Sequence, residues 1–274
     1  MRPLNHVRSN DGTSIAFDRV GQGPPLIVVG GALGTRASEA SLAALLAPHA
    51  TAIAYDRRGR GDSADTPPYA VEREVEDLEA LIEDAGGRAH VYATSSGGNL
   101  ALEAAASGVG VEKLALWEPN YLVDASRPPL PDDYVAQLDR LLAAGRRGDA
   151  VEYFMTTAVG LPADFVAPMR EAPIWDGMEN VAHTLAYDGR VVAGFSLPRG
   201  RVDFIGVPTL VIDGGQTPWL SAGAEALAEA LPAGEHRRIE GQPHNVAPEA
   251  IAPVLAEFFG AEHRVADATE KKKS

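Results

Sequence analysis

The sequence predicts an α/β fold in which helices cover both faces of a doubly wound, mostly parallel β-sheet. Short, continuous apolar runs recur along the chain, and stretches with helical spacing separate them. Such runs are typical of parallel strands, because both faces of a parallel sheet are covered. The alternation of strand and helix therefore favours a single wound sheet.

The predicted strands begin with a β-hairpin over residues 6–20, whose turn chemistry comes from Asn10, Asp11 and Gly12. Five apolar runs follow, and most of them end at glycine or at an acidic residue. We assign buried strands to these runs, at residues 24–29, 51–55, 91–93, 113–117 and 208–212. A further strand is expected at 235–239.

Helices are predicted where apolar residues recur at helical spacing. The first has its apolar face within residues 71–82 and ends at Gly86 and Gly87. Two more are expected near the C-terminus, at Ser221–Leu231 and Val246–Phe259. Ser221 is expected to act as the N-cap of the first of these two.

The alternation stops between about Tyr121 and Val207. Helical patterns occur there at 132–144, 150–159 and 176–187, but no run is typical of a buried strand. We therefore predict a helical cap over residues 121–207. The sheet core would comprise 1–120 and 208–264, and 265–274 would form a disordered tail.

Composition excludes several classes of protein. The 274 residues suffice for one sizeable α/β domain. The formal net charge is −14, which disfavours nucleic acid as a partner. No cysteine is present, so disulfides, thiolate metal sites and a cysteine nucleophile are excluded. No apolar run is long enough to span a membrane, and the first residues lack the apolar centre of a signal peptide, so we expect a cytoplasmic protein.

Residues 90–102 predict a strand, a very tight turn and then a helix. Ser95 lies at the apex of the turn, with the small residues Ala93 and Gly97 two positions before and after it. Small flanking residues let the strand and the helix approach closely, and the apex is forced towards positive φ. The serine hydroxyl would then project above the sheet, beside the free N–H groups of a helix N-terminus.

Four stretches, in the expected order, make the chain resemble the α/β-hydrolase superfamily over nearly its whole length. In one of them Ala93 stands where that family usually has glycine, and alanine is small enough to be tolerated. The four stretches are residues 29–32, 55–63, 93–98 and 241–244. The resemblance implies an α/β-hydrolase fold with a serine nucleophile.

Within that resemblance, Ser95 is the expected nucleophile and His244, in the loop before the last helix, is the expected base. Ser96 is the rival nucleophile, but choosing it would place the β-branched Thr94 at a cramped corner. The backbone N–H groups of Ala32 and Ser96 are expected to form the oxyanion hole.

The acidic residue that would complete a triad with Ser95 and His244 is less plainly marked in the sequence. The superfamily usually carries its acid after the strand at 208–212, but Thr217 occupies the matching position. Glu118, one strand earlier, directly follows the run 114–117, and a similar acid position is found in certain haloalkane dehalogenases. Both strand ends open on the same side of a parallel sheet, so either could reach His244. We expect Glu118 to be the acid, with Asp213 as the alternative.

These residues predict a serine hydrolase that cleaves a small or medium ester, thioester or lactone through an acyl-enzyme. Two alternatives stay open: the same fold running acyl transfer, carbon–carbon cleavage or a non-hydrolytic rearrangement, and a non-catalytic ligand-binding protein. The expected partner is a small-molecule substrate, and no cofactor and no metal are needed for this chemistry.

Overall fold

A computed structural model describes residues 4–260 of the chain. Its centre is an eight-stranded sheet with the strand order β1-β2-β4-β3-β5-β6-β7-β8. The pairs β1–β2 and β2–β4 are antiparallel, whereas every pair from β4–β3 to β7–β8 is parallel. The predicted doubly wound, mostly parallel sheet is confirmed.

The strands follow the apolar runs of the sequence closely. Their bounds are β1 Asn5–Arg8, β2 Ser14–Val20, β3 Pro25–Val29, β4 Thr51–Tyr55, β5 Ala89–Thr94, β6 Val111–Trp117, β7 Thr209–Gly215 and β8 Gly234–Gln242.

The helices of the first part of the chain are α1 Ala40–Leu46, α2 Val71–Asp84, α3 Ser96–Ala106, α4 Tyr134–Ala143, α5 Arg147–Tyr153 and α6 Ala163–Val166. The remaining helices are α7 Ile174–Val181, α8 Leu185–Val192, α9 Arg199–Val202, α10 Pro218–Ala230 and α11 Pro248–Gly260. A π-helical turn at Phe154–Val159 continues α5.

Alternate residues of the sheet point into two separate apolar layers. On β3, Ile27 and Val29 belong to one buried cluster, together with side chains of α2, α3 and α10. Leu26 and Val28 belong to the other, together with side chains of α1 and α11. Because both faces of the sheet are covered there, the inner strands β3 to β7 are mostly continuous apolar runs, and this property made them recognisable.

Between β6 and β7 the described chain contains helices and loops but no strand. The helices of this stretch share a third apolar cluster, which includes Leu138, Val151, Trp175 and Leu185. We call residues 121–207 the helical segment, and we propose that it is the cap of a core formed by 1–120 and 208–264. Of the expected tail, 265–274, all residues lie outside the described range.

Two details of the helices differ from the predictions. The helix expected at Ser221–Leu231 begins at Pro218, so Ser221 is not its N-cap. Proline is favoured in the first helical turn because its missing N–H would have no partner there. The Ser221 hydroxyl instead donates to Asp213 Oδ1 at 2.6 Å. The single helix expected at 176–187 is two helices, α7 and α8, joined by a 3-10 turn.

Candidate active site

Ser95 lies at the sharp corner between β5 and α3. Its backbone has φ +53° and ψ −128°, a conformation that L-residues rarely adopt. The corner is tight, because a Cβ at Gly97 would lie only 2.6 Å from the Gly30 carbonyl oxygen. A Cβ at Gly31 would likewise lie 3.0 Å from the Ser95 Cβ. Small residues are therefore required both in the helix and in the loop after β3.

Positive φ angles are concentrated at this end of the sheet. Among the described residues other than glycine, five have positive φ, and three of these are Leu33, Ser95 and Glu118. They stand in the loops that follow β3, β5 and β6. Such conformations cost energy and are kept where the surrounding structure holds them, which is common at functional sites.

His244 and Glu118 form a close pair. His244 Nδ1 lies 2.6 Å from Glu118 Oε2, and the Gly214 N–H donates to the other carboxylate oxygen at 3.0 Å. Glu118 is fully buried, whereas 42% of the His244 side chain is exposed. Trp117 Nε1 donates to the His244 carbonyl oxygen at 2.8 Å and fixes the loop. With Nδ1 facing the carboxylate, Nε2 is the ring nitrogen left to act on other groups.

Asp213, the alternative acid, is directed elsewhere. One of its carboxylate oxygens accepts from Ser221, from Arg238 and from the Gly215 N–H, and the other lies 2.6 Å from His236 Nε2. Burial favours the neutral acid, but these hydrogen bonds outweigh it and lower the pKa of Asp213 below its ordinary value. The carboxylate is thus engaged within β7, β8 and α10.

The Ser96 hydroxyl is also engaged. It is buried and donates to Asp188 Oδ1 at 2.8 Å, an aspartate of α8 in the helical segment. The Ser96 N–H, by contrast, belongs to the first residue of α3, where backbone donors lack a partner inside the helix. Ser96 and Ala32 both line the cavity that Ser95 faces. The structure thus gives the Ser96 side chain and backbone different surroundings.

Asn120 is a neighbour of Ser95 that the sequence did not indicate. The Ser95 hydroxyl donates to Asn120 Oδ1 at 3.2 Å. Asn99 holds the backbone of Asn120 from both sides: its Oδ1 accepts the Asn120 N–H at 3.0 Å, and its Nδ2 donates to the Asn120 carbonyl at 3.3 Å. The available signal was position alone, since Asn120 follows Glu118 at the same strand end.

A cavity of about 630 Å³ lies over the carboxyl ends of the parallel strands. Its lining includes Ser95, Asn120, His244 and Thr217. The helical segment contributes apolar lining, which includes Leu130, Tyr134, Phe154, Met178, Val192 and Phe195. This volume and this lining suit a small organic ligand.

One carboxyl group of the cavity has no partner among the described side chains. Glu39, just before α1, lines the cavity with its carboxylate near Gly30. Burial raises the pKa of Glu39 to about 6. The other acidic side chain in the lining, Asp188, is paired with Arg57 and Arg60, and no described arginine or lysine lines the cavity. Ionised Glu39 would therefore give the cavity negative charge.

Residues 4–260 contain neither a cluster of metal-ligating side chains nor a helix that could span a membrane. No group of three or more histidine, aspartate or glutamate side chains in this range is placed to hold a metal ion. No helix in the same range has both the length and the apolar character that a membrane span requires.

The sheet order, the corner at Ser95 and the histidine–carboxylate pair above the strand ends are those of a hydrolase of the α/β class. The family model described as "Alpha/beta hydrolase family" matches residues 26–254. The chain belongs to the α/β-hydrolase family, as the four sequence stretches had indicated.

Solved structures agree with this assignment. An α/β hydrolase from Sphaerobacter thermophilus is 59% identical, with a TM-score of 0.89, over 93% of this chain and 100% of that one. A thermophilic esterase from Thermogutta terrifontis is 19% identical, with a TM-score of 0.71, over 94% and 98% of the two chains. An enol-lactonase from Burkholderia xenovorans is 22% identical, with a TM-score of 0.70, over 94% and 100%. The two distant structures share the fold.

Proposed function

We propose that the protein is a serine hydrolase that cleaves a small or medium carboxylic ester, thioester or lactone through an acyl-enzyme. Ser95 is the nucleophile, His244 the general base and Glu118 the acid that holds the imidazole. The observation that supports this most strongly is the pairing of His244 Nδ1 with the buried Glu118, above the strand end that carries Ser95. Membership in the α/β-hydrolase family also supports a hydrolase.

In the first step, the Ser95 hydroxyl transfers its hydrogen bond from Asn120 to His244 Nε2. A serine hydroxyl can rotate in this way, because its proton has no fixed position. As Ser95 Oγ bonds to the substrate carbonyl carbon, its proton passes to Nε2, and Glu118 stabilises the imidazolium that results. The imidazolium then protonates the leaving oxygen or sulfur, and the acyl group stays on Ser95.

In the second step, water donates a proton to His244 Nε2 and its oxygen attacks the acyl carbon. The Ser95–acyl bond breaks, Ser95 regains the proton, and the carboxylic acid leaves. In both steps the negative charge on the former carbonyl oxygen is stabilised by the N–H groups of Ala32 and Ser96. Every atom and proton is supplied by the substrate, water and these side chains.

The cavity supports an apolar acyl or aryl group of moderate size. The lining residues from the helical segment are mostly apolar or aromatic, whereas most of the polar lining residues lie outside that segment. Because apolar walls bind mainly by excluding water, they favour substrates with a hydrocarbon chain or ring.

A fluorophosphonate probe together with activated esters tests the proposal. We expect the probe to label Ser95 in the wild-type protein, as located by peptide mass spectrometry, and p-nitrophenyl butyrate to be hydrolysed. The variant Ser95→Ala should lose labelling and turnover while keeping its melting temperature nearly unchanged. Ser96→Ala is the matched control, since it removes the neighbouring hydroxyl and should still be labelled at Ser95.

Labelling of Ser96, or wild-type turnover by Ser95→Ala, would overturn the assignment of the nucleophile. Absence of hydrolysis across a broad ester panel, with labelling retained at Ser95, would instead favour another reaction on the same nucleophile.

A further inference from the structure

The carbonyl group of Gly31 is held by a buried arginine. Arg60, in the loop after β4, donates from Nη1 to the Gly31 carbonyl oxygen at 2.6 Å. Gly34 N–H donates to the same oxygen at 3.3 Å, within the turn that follows β3. The arginine is 1% exposed, so this contact is shielded from water. The orientation of one peptide group is thereby set from its carbonyl side.

That peptide group joins Gly31 to Ala32, so it carries the Ala32 N–H. In a trans peptide the C=O and N–H bonds point in opposite directions. Because Arg60 holds the oxygen on one side, the Ala32 N–H is directed to the other side. A charged donor on the carbonyl also polarises the peptide and makes its N–H a stronger donor.

Asp188 of α8 connects Arg60 with Ser96, whose N–H is the second proposed donor of the oxyanion hole. Its Oδ2 accepts from Arg60 Nη2 at 2.7 Å, and its Oδ1 accepts from Ser96 Oγ at 2.8 Å. Arg57 Nη1 also donates to Oδ1 at 2.8 Å. Burial would raise the pKa of Asp188, but the charges of Arg60 and Arg57 outweigh this and keep the pKa below its ordinary value. Asp188 is therefore an ionised acceptor.

The charges of this buried cluster balance. Arg57 makes a second, two-pronged contact with Glu74 of α2, at 2.7 and 2.8 Å. Two arginines thus face two carboxylates, Asp188 and Glu74, and all four side chains are buried. A buried ionic group left without a partner is costly, so the removal of one member should disturb the others. The cluster is a rigid support rather than a surface ion pair.

We propose that Arg60 and Asp188 are positioning residues that orient both donors of the oxyanion hole. Arg60 directs the Ala32 N–H through the Gly31 carbonyl, and Asp188 holds Arg60 and the Ser96 side chain together. Because Asp188 belongs to the helical segment, docking of that segment completes the oxyanion hole. The inference rests on the proposed function, in which Ala32 and Ser96 stabilise the oxyanion.

The main test uses Arg60→Met, which keeps an unbranched stem but has no donor. With p-nitrophenyl butyrate we expect kcat to fall about 10- to 100-fold, with KM changed less than about threefold, because the donors act on the transition state. Binding of phenylboronic acid, whose adduct on serine is tetrahedral, should weaken by a similar factor. Arg60→Lys, which restores one cationic donor, should recover part of kcat.

Arg58→Met is the matched control. Arg58 is as buried as Arg60 and is held by Asp77 through two contacts of 2.7 and 2.8 Å, but it forms no hydrogen bond or ion pair with the Gly31 loop or with Asp188. Its loss should lower the melting temperature while the folded enzyme keeps its kcat and its boronic-acid affinity. If both methionine variants lose kcat equally, or if Arg60→Met keeps wild-type kcat, the positioning role is wrong.

Ser96→Ala tests the second donor with little risk to folding, because it removes one hydroxyl. We expect kcat to fall severalfold with KM unchanged, and an unchanged kcat would overturn the part of the inference that concerns Ser96.

The proposed function and the positioning role would be overturned by different results. If Ser95→Ala turns over at the wild-type rate, the proposed function is wrong; if only Ser95→Ala is inactive and Arg60→Met and Ser96→Ala are not impaired, only the present inference is wrong.

Discussion

Glu118 and His244 are 126 positions apart in the chain, yet Glu118 Oε2 lies 2.6 Å from His244 Nδ1. The contact depends on two neighbouring loops. Glu118 follows β6 with a positive φ of 42°, and the N–H of Gly214, near the end of β7, donates to its second carboxylate oxygen. His244 follows β8, and its carbonyl is held by Trp117. The pair is therefore positioned by three consecutive strands of the sheet.

The first prediction concerns which carboxylate serves the histidine. Glu118→Gln keeps the shape of the side chain but removes the charge that stabilises a histidinium, so we expect kcat for an activated ester to fall by about 10³-fold. Asp213→Asn is the control, since Asp213 bonds Ser221, His236 and Arg238. It should lower the melting temperature and leave kcat within about threefold. A larger kcat loss in Asp213→Asn than in Glu118→Gln would contradict this.

The second prediction concerns Glu39 and the pH dependence of stability. Burial raises its pKa in the folded protein to about 6, above the ordinary 4.5, so the folded state holds the proton more tightly than the unfolded chain. The contribution of Glu39 to the free energy of unfolding is therefore fully present below pH 4.5, and it is lost as the pH rises through 6. Glu39→Gln should match the wild type at pH 4.5 and exceed it at pH 8 by about 1–2 kcal/mol. Urea unfolding at both pH values measures this, and equal stabilities at pH 8 would contradict it.

The third prediction concerns the charge of the substrate. The ionised Glu39 has no partner among the described side chains and no described lysine or arginine lines the cavity, so anionic acyl groups should be disfavoured. We expect p-nitrophenyl pentanoate to be hydrolysed at pH 8 with a higher kcat/KM than the mono-p-nitrophenyl ester of glutaric acid, which carries an additional carboxylate. Glu39→Gln should bring the kcat/KM values of the two esters closer together, mainly by raising kcat/KM for the anionic ester. An unchanged ratio would show that Glu39 does not act on substrate charge.

The fourth prediction compares one substitution at two glycines. A Cβ at Gly97 would meet the backbone oxygens of Gly30 and Val29 at 2.6 and 2.7 Å, so Gly97→Ala should strongly destabilise the corner that holds Ser95. A Cβ at Gly177, inside α7, would have no atom within 4 Å beyond its chain neighbours and the backbone of its own helix. Gly177→Ala should stabilise the protein by up to about 1 kcal/mol, because alanine is the better helix former. Thermal unfolding of both variants checks these opposite signs, and similar changes in both would contradict the close packing at Gly97.

The five inner strands β3 to β7 could be predicted well because they are buried on both faces. Each then appears as a local apolar run, and the turns and glycines that end the runs are local as well. Helix α1 has no such signal, since it has seven residues and no side-chain cap. The start of α10 was also mispredicted. Serine is a favoured N-cap residue in general. The Ser221 hydroxyl instead donates to Asp213, and this contact forms only in the folded arrangement.

At the site, the order of motifs was enough to select Ser95, His244, Ala32 and Ser96 as candidates and to prefer Glu118 to Asp213. The neighbours of these residues were not predictable in the same way. Asn120 and Asp188 belong to no motif, and the stretch 55–63, which contains Arg60, does not indicate its contacts. The contacts of these three residues cross from one element to another at sequence separations of up to 131. Such contacts depend on how the helical segment packs on the sheet.

The amino-acid order by itself determined the class of fold, the tight corner at Ser95 and the set of candidate side chains, because each of these is encoded in residues that are close together in the chain. Only the tertiary structure decided which carboxylate meets His244, that the Ser96 hydroxyl is bound to Asp188, and that Arg60 holds the Gly31 carbonyl. These depend on which strand ends and helices become neighbours, and that choice is made by packing of the whole sheet and its helices.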